Sequence, residues 1–156
     1  MRYDRILATE YALKFALGRN PQFYDFSSLG GDCTNFVSQC LFAGRGGMDY
    51  SDNGWFYIDL NNRSPSWTGV EELSKYLQNN NNGVLNAVNV NFDEIEIGDV
   101  IQLKQGERFN HSLIVTKINY PILSLNDIFV CCHSSDRLNA RVSSFVFKKA
   151  KFLKVY

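Results

Sequence analysis

A chain of 156 residues, 45% hydrophobic and 14% aromatic, holds enough apolar side chain for a single domain over 1–156 to bury its own core. Sixteen Lys and Arg against sixteen Asp and Glu leave a formal net charge of +0, which argues against a nucleic-acid partner or attraction to an acidic membrane surface. No run approaches the roughly 18 consecutive apolar residues of a membrane span.

The opening Met1-Arg2-Tyr3-Asp4-Arg5 is charged where a signal peptide needs an uninterrupted apolar run and a cleavage site. The expected compartment is therefore the cytoplasm, unless the chain is a domain of an exported precursor. Ile6, Leu7, Tyr11, Ala12 and Phe15 recur at helical spacing, which predicts an amphipathic helix over 4–18 closed by Gly18 and Pro21. A second helix is predicted over 33–43, with Cys33, Phe36, Val37, Cys40 and Leu41 on one face and glycines from Gly44 to Gly47 ending it. A third has Thr68 as N-cap and Glu71 three residues on, a capping box, with Val70, Leu73 and Leu77 inward. The tract Asn79-Asn80-Asn81-Asn82-Gly83 suits a solvated loop. Strands are predicted over 87–90, 100–103, 111–118, 128–133, 142–147 and 152–155. Helices followed by strands predict an α+β fold.

The four cysteines do not form a disulfide framework on this reading. Cys33 and Cys40 lie roughly 10 Å apart along their helix, and Cys131 and Cys132 would point to opposite faces of a strand. Ligand spacings typical of zinc are missing, so neither a metal nor any other cofactor is expected.

Cys33 stands where a nucleophile is activated. Gly30 and Gly31 permit a tight turn, Asp32 can cap the helix, and Cys33 takes the first helical position. There the unpaired N–H groups and the helix dipole favour a thiolate and could hold an oxyanion. Cys40, in mid-helix on the apolar face, reads as core. The only two histidines, His111 and His133, open one predicted strand and close the next. A hairpin pairing His111 with His133, Leu113 with Cys131 and Val115 with Phe129 would put all six on one face, with the rings within reach. His111 would then serve as general base and acid, with His133 orienting it. A one-residue slip would break that arrangement. There is no G-x-S-x-G elbow and no phosphate-binding glycine motif.

The segment Gly30-Gly31-Asp32-Cys33-Thr34-Asn35-Phe36-Val37-Ser38-Gln39-Cys40-Leu41 resembles the signature of the putative amidase domain family of papain-like thiol hydrolases, kin to NlpC-type cell-wall peptidases and CHAP amidases. The resemblance continues through Tyr24, Ala43-Gly44, Trp55, Ser66-Trp67, Gly98-Asp99-Val100, His111 to Thr116 and His133-Ser134-Ser135-Asp136. It implies a papain-like nucleophile helix packed on an antiparallel sheet, with Cys33 as nucleophile, His111 as its partner and peptidoglycan or related peptides as substrate. It points to His133 as third residue, a place Asp136 or Asn110 could also take. Asp32, Thr34 and Tyr24 are the supporting candidates, and Trp55 or Trp67 could line a cleft or sit in the core. The expected chemistry is amide or peptide hydrolysis through an acyl-thioester. The rival readings are a silent binding module of the same fold and a thiol acyltransferase.

Overall fold

The computed structural model describes residues 2–79 and 83–156. The first helix, α1 (Arg5–Phe15), begins where the Asp4 carboxylate accepts from the backbone N–H of Ile6 and Leu7, both at 3.0 Å. It buries Ala8, Thr9 and Ala12 against α2 (Cys33–Arg45), which stops at Gly46 in the left-handed conformation. The two helices approach closely at Gly44, where a β-carbon would lie 2.5 Å from the Tyr3 ring. A short ribbon, β1 (Tyr57–Asp59) and β2 (Asn62–Arg63), follows, then the single turn α3 (Pro65–Thr68) and α4 (Val70–Asn79).

The capping box at Thr68 does not form. Thr68 closes α3 instead, its hydroxyl accepting from Arg63 Nε at 3.2 Å, and α4 opens with Leu73 N–H donating to the Gly69 carbonyl. Pro65, pre-set for a first helical position, starts a turn one step too early for Thr68 to act as cap. Leu73 and Leu77 are buried as expected. The loop expected at the asparagine tract falls largely on residues 80–82, outside the described residues.

The remaining strands are β3 (Ala87–Asn89), β4 (Val100–Lys104), β5 (Phe109–Ile118), β6 (Ile128–Cys132), β7 (Arg137–Arg141) and β8 (Lys149–Val155). They form one antiparallel sheet in the order β3-β8-β4-β5-β6-β7. The expected α+β class, helices first and antiparallel sheet after, is thus observed. The strand expected over 142–147 is not. Val142–Ser144 is a 3₁₀ turn, and Val142, Phe145 and Phe147 fold back over the sheet, while the polar run Arg137–Arg141 supplies the edge strand. Charged side chains on an exposed edge protect it from unwanted pairing.

The sheet has two apolar faces. Val100, Ile114, Cys131 and Leu153 pack under the helices against Phe36, Val37, Cys40, Leu41, Trp55 and Trp67. Ile101, Leu103, Leu113, Val115, Val130 and Cys132 pack on the other face against Val142, Phe145 and Phe147. The turn before β4 locks α1 to the sheet. The buried Asp99 carboxylate accepts from Glu96 N–H (2.8 Å), Val155 N–H (2.9 Å) and Arg5 Nη1 (2.5 Å). Among the described residues no helix is long and apolar enough to cross a membrane.

Candidate active site

Gly30 and Gly31, at φ +89° and +104°, turn the chain into the start of α2 through backbone that side chains with a β-carbon rarely adopt. Asp32 follows, but its carboxylate does not cap the helix. It is fully buried. Oδ1 accepts from Phe26 N–H (2.8 Å) and Asn35 Nδ2 (2.9 Å), and Oδ2 accepts from His133 Nδ1 (2.5 Å). The expected cap is corrected on this geometry: a buried carboxylate gains more from a charge-assisted partner than from one backbone amide at the helix start. Asn35 Oδ1 in turn accepts from Trp67 Nε1 at 2.9 Å, which puts Trp67 in the core, as is Trp55.

His133 completes the far side of this turn. It is 1% exposed, its ring stacks on Phe36 at 4.0 Å, and Nε2 lies 2.9 Å from the Phe15 carbonyl oxygen. A carbonyl can only accept, so Nε2 donates there. Arg19 Nη1, 3.2 Å from the same nitrogen, gives its two protons to the Gly18 carbonyl and to Asp136 Oδ2, each at 2.8 Å. Arg19 Nε also lies 3.2 Å from Asp25 and 3.6 Å from Asp32.

The histidine hairpin takes a different register from the expected one. Ile114, not Leu113, faces Cys131, and a bulge lies between Val115 and Lys117. The pairing expected for His111 and His133 is one residue out, and one residue in a strand reverses the face. His133 lies under the helices with Cys131, whereas His111 shares the outer face with Leu103 and Leu113. The structure does not bring the two rings together. Neither alternative third residue reaches His111: Asp136 accepts from Arg19, and Asn110 Oδ1 accepts from Gln105 N–H at 3.0 Å. The His111 ring instead packs on Phe145, 5.9 Å between centroids, below which Arg137 stands over the same ring at 4.6 Å.

The Cys33 thiol sits at the edge of β5, beyond Ile114 and Cys131, where β6 stops pairing with it. Its sulfur accepts from the backbone N–H of Ser112, the residue after His111, and from that of Thr34. Thr34 Oγ1 is 3.7 Å from the sulfur and 2.9 Å from Ser112 Oγ, and Gln102 Nε2 donates to Ser112 Oγ at 3.3 Å. This buried line ties the helix start to β4 and β5. Tyr24 lies further out, its ring edge-on to Phe26 at 4.9 Å and its carbonyl accepting from Asn35 Nδ2 at 2.9 Å.

The electrostatics differ from those expected of a helix-start thiolate. Burial pushes the Cys33 thiol upward, and Asp32 adds to this, while the N–H groups of Ser112 and Thr34 pull the other way. Burial, with the nearby Arg137, brings His111 down to about 4. Near pH 7 Cys33 thus rests as a neutral thiol and His111 as a neutral imidazole. Iodoacetamide should label Cys33, 8% exposed, before the fully buried Cys40, Cys131 and Cys132. Its rate should climb with pH through a value above that of a free thiol. Equal labelling of all four, or a plateau already at neutral pH, contradicts this.

The His111 shift also bears on stability. Its ring, 7% exposed, keeps the neutral form in the folded chain down to about 4 but takes a proton near 6.5 when unfolded. The unfolded chain therefore binds more protons between those values, and stability falls as pH drops through that window. The contribution is complete above about 6.5 and is worth up to about 3 kcal/mol. Urea unfolding should show a shallower loss from pH 6.5 to 4 in His111→Gln than in the parent. Parallel curves would show that His111 is not the group responsible.

Residues 2–156 match the family model described as "Putative amidase domain". The chain belongs to that family. Amide-bond hydrolysis is the activity the family's name carries. Two proteins of Bacillus subtilis (strain 168) are similar to it. "Uncharacterized protein YhbB" is 40% identical over 132 residues, 79% of this chain and 41% of that protein. "Uncharacterized protein YjcM" is 30% identical over 146 residues, 88% of this chain and 32% of that protein. The chain spans less than half the length of either. No solved structure matches.

Three residues around Cys33, His111 and His133 have no role in the sequence reading. Ser112 falls within the strand and the stretch that carries the resemblance, but nothing in the sequence marks its N–H as the group that meets the thiol. Arg19 and Arg137 carry no local signal, since each joins the site through the chain's fold alone. Among the described residues no group of three or more His, Cys, Asp or Glu could hold a metal ion.

Proposed function

We propose that the protein is a cysteine-dependent hydrolase that cleaves amide bonds in peptides, peptidoglycan stem or bridge peptides being the favoured class. One observation carries the reading: in a chain of the amidase family, Cys33 opens α2 with its sulfur on the N–H of Ser112, the residue that follows His111 in the chain. Cys33 attacks the carbonyl carbon while neutral His111 takes the thiol proton. The two charges arise together, so their attraction offsets part of the mismatch between a raised thiol and a lowered imidazole. N–H groups at the start of α2 hold the oxyanion. The protonated His111 then gives its proton to the leaving amine, an acyl-thioester remains on Cys33, and water assisted by His111 releases the acid. The likeness of the Cys33 segment to that of cell-wall peptidases supports the substrate class.

Digesting purified peptidoglycan and a panel of peptide amides, with products identified by mass, tests this. New amine and carboxylate ends with the parent chain, none with Cys33→Ala, are expected. Products transferred to an added amine in place of water would point to an acyltransferase. No product from any amide would sink the hydrolase reading.

A further inference from the structure

We propose that a second site, at the opposite end of α2 from the thiol, binds a ligand through a carboxylate or phosphate group. A cavity of about 370 Å³ lies between the residues before α1, the end of α2 and the end of β8, and three arginines line it: Arg2, Arg5 and Arg45. Arg45 is twelve residues along α2 from Cys33, about 18 Å by helical rise. The site is therefore separate from the thiol, and the proposal does not depend on the hydrolase reading.

The three guanidiniums are not alike. Arg5 is part of the scaffold, with Nη1 donating to Asp99 and Nη2 to the Val155 carbonyl at 2.5 Å each. Arg45 is held at one atom only. Its Nε donates to the Val84 carbonyl at 2.8 Å, which orients the guanidinium plane, and its two terminal nitrogens have no hydrogen bond or ion pair among the described residues. Arg2 is exposed and likewise lacks an acidic partner among them. No acidic side chain lines the cavity. Arg5 has its counterparts in Asp99 and Glu96, so the unpaired positive charge at this cavity is that of Arg45 and Arg2.

Guanidinium forks match the planar or tetrahedral oxygens of carboxylate and phosphate, and an oriented, unpaired fork is the arrangement that recognises them. The rest of the wall is Tyr3, Val84, Val155 and Tyr156, so the cavity offers an aromatic and aliphatic surface beside the charge. A ligand with an anionic group on a small apolar body fits both.

Titration of the full chain with inorganic phosphate and with succinate, each against chloride at matched ionic strength, tests the proposal by amide chemical shifts. Saturable binding of at least one anion is expected, with shifts at Tyr3, Arg45 and Val155. Arg45→Gln or Arg2→Gln should weaken it by about tenfold, the loss of one charge-assisted contact, while the rate of Cys33 alkylation stays unchanged. Arg2 is exposed, so its variant remains informative if Arg45→Gln folds poorly. The anion that saturates at lower concentration identifies the group. Absence of saturation by either anion beyond chloride, or saturation untouched by both substitutions, would overturn the site.

Discussion

Cys33→Ala is expected to bring amide turnover down to the uncatalysed level, a fall of at least about a thousandfold. The change removes one sulfur whose contacts are two backbone N–H groups and the Thr34 hydroxyl, none of which holds the fold. The helix start stays tied down by Asp32, Asn35 and the pair of Thr34 with Ser112. Stability should therefore remain within about 1 kcal/mol of the parent. Turnover assays and urea unfolding on the same preparations check both halves. A variant that still hydrolyses substrate would remove the thiol from the mechanism. One that is inactive because it is unfolded would leave the chemistry to be read from Cys33→Ser, which keeps the size and loses the nucleophile.

His133→Ala is expected to act in the opposite sense, through the fold first. It removes the donor to Asp32 Oδ2 and the donor to the Phe15 carbonyl, and leaves a fully buried carboxylate with the Phe26 N–H and Asn35 Nδ2 on Oδ1 and, as its remaining cation, Arg19 Nε 3.6 Å from Oδ2. Breaking a buried charged pair on one side costs roughly 3 kcal/mol or more. Asp32→Asn should cost a similar amount, and the double variant less than the sum, because the second change removes a partner already lost. Denaturant unfolding of the four species gives the coupling directly. Activity should fall in both single variants because Asp32 adjoins Cys33 and shapes its turn. The competing role, in which His133 orients His111, predicts the reverse: turnover lost with stability intact, and recovery in His133→Asn. Additive stability effects would show that the Asp32–His133 contact is not what holds this turn.

The residues of the candidate site were legible in the sequence to different depths. The start of α2 and the placing of Cys33 at its first position depend on neighbours within a few residues: two glycines before, apolar side chains at helical spacing after, and Gly46 to stop it. Such signals act within one turn, so they survive in any fold. The helix-then-sheet order and most strand positions were readable for the same reason, since alternation and turn residues are local.

The pairing of the two histidines was not readable. It depends on a register, and the register is set by the bulge between Val115 and Lys117 and by which face of β6 meets α2. Neither leaves a trace in the spacing of His111 and His133. The partner of Asp32 was hidden likewise, because a carboxylate at a helix start reads as a cap until a buried ring 101 residues away competes for it. Arg19 and Arg45 show the same limit from the surface side: an arginine looks solvated in sequence, and only the packing of distant segments decides which carboxylates, if any, come within reach. What the sequence by itself determined was therefore the local geometry around the thiol. Which groups face that thiol, and which charges stay unpaired, was decided by tertiary structure, because side-chain facing in a sheet and the reach of a charge depend on chain segments that are neighbours only after folding.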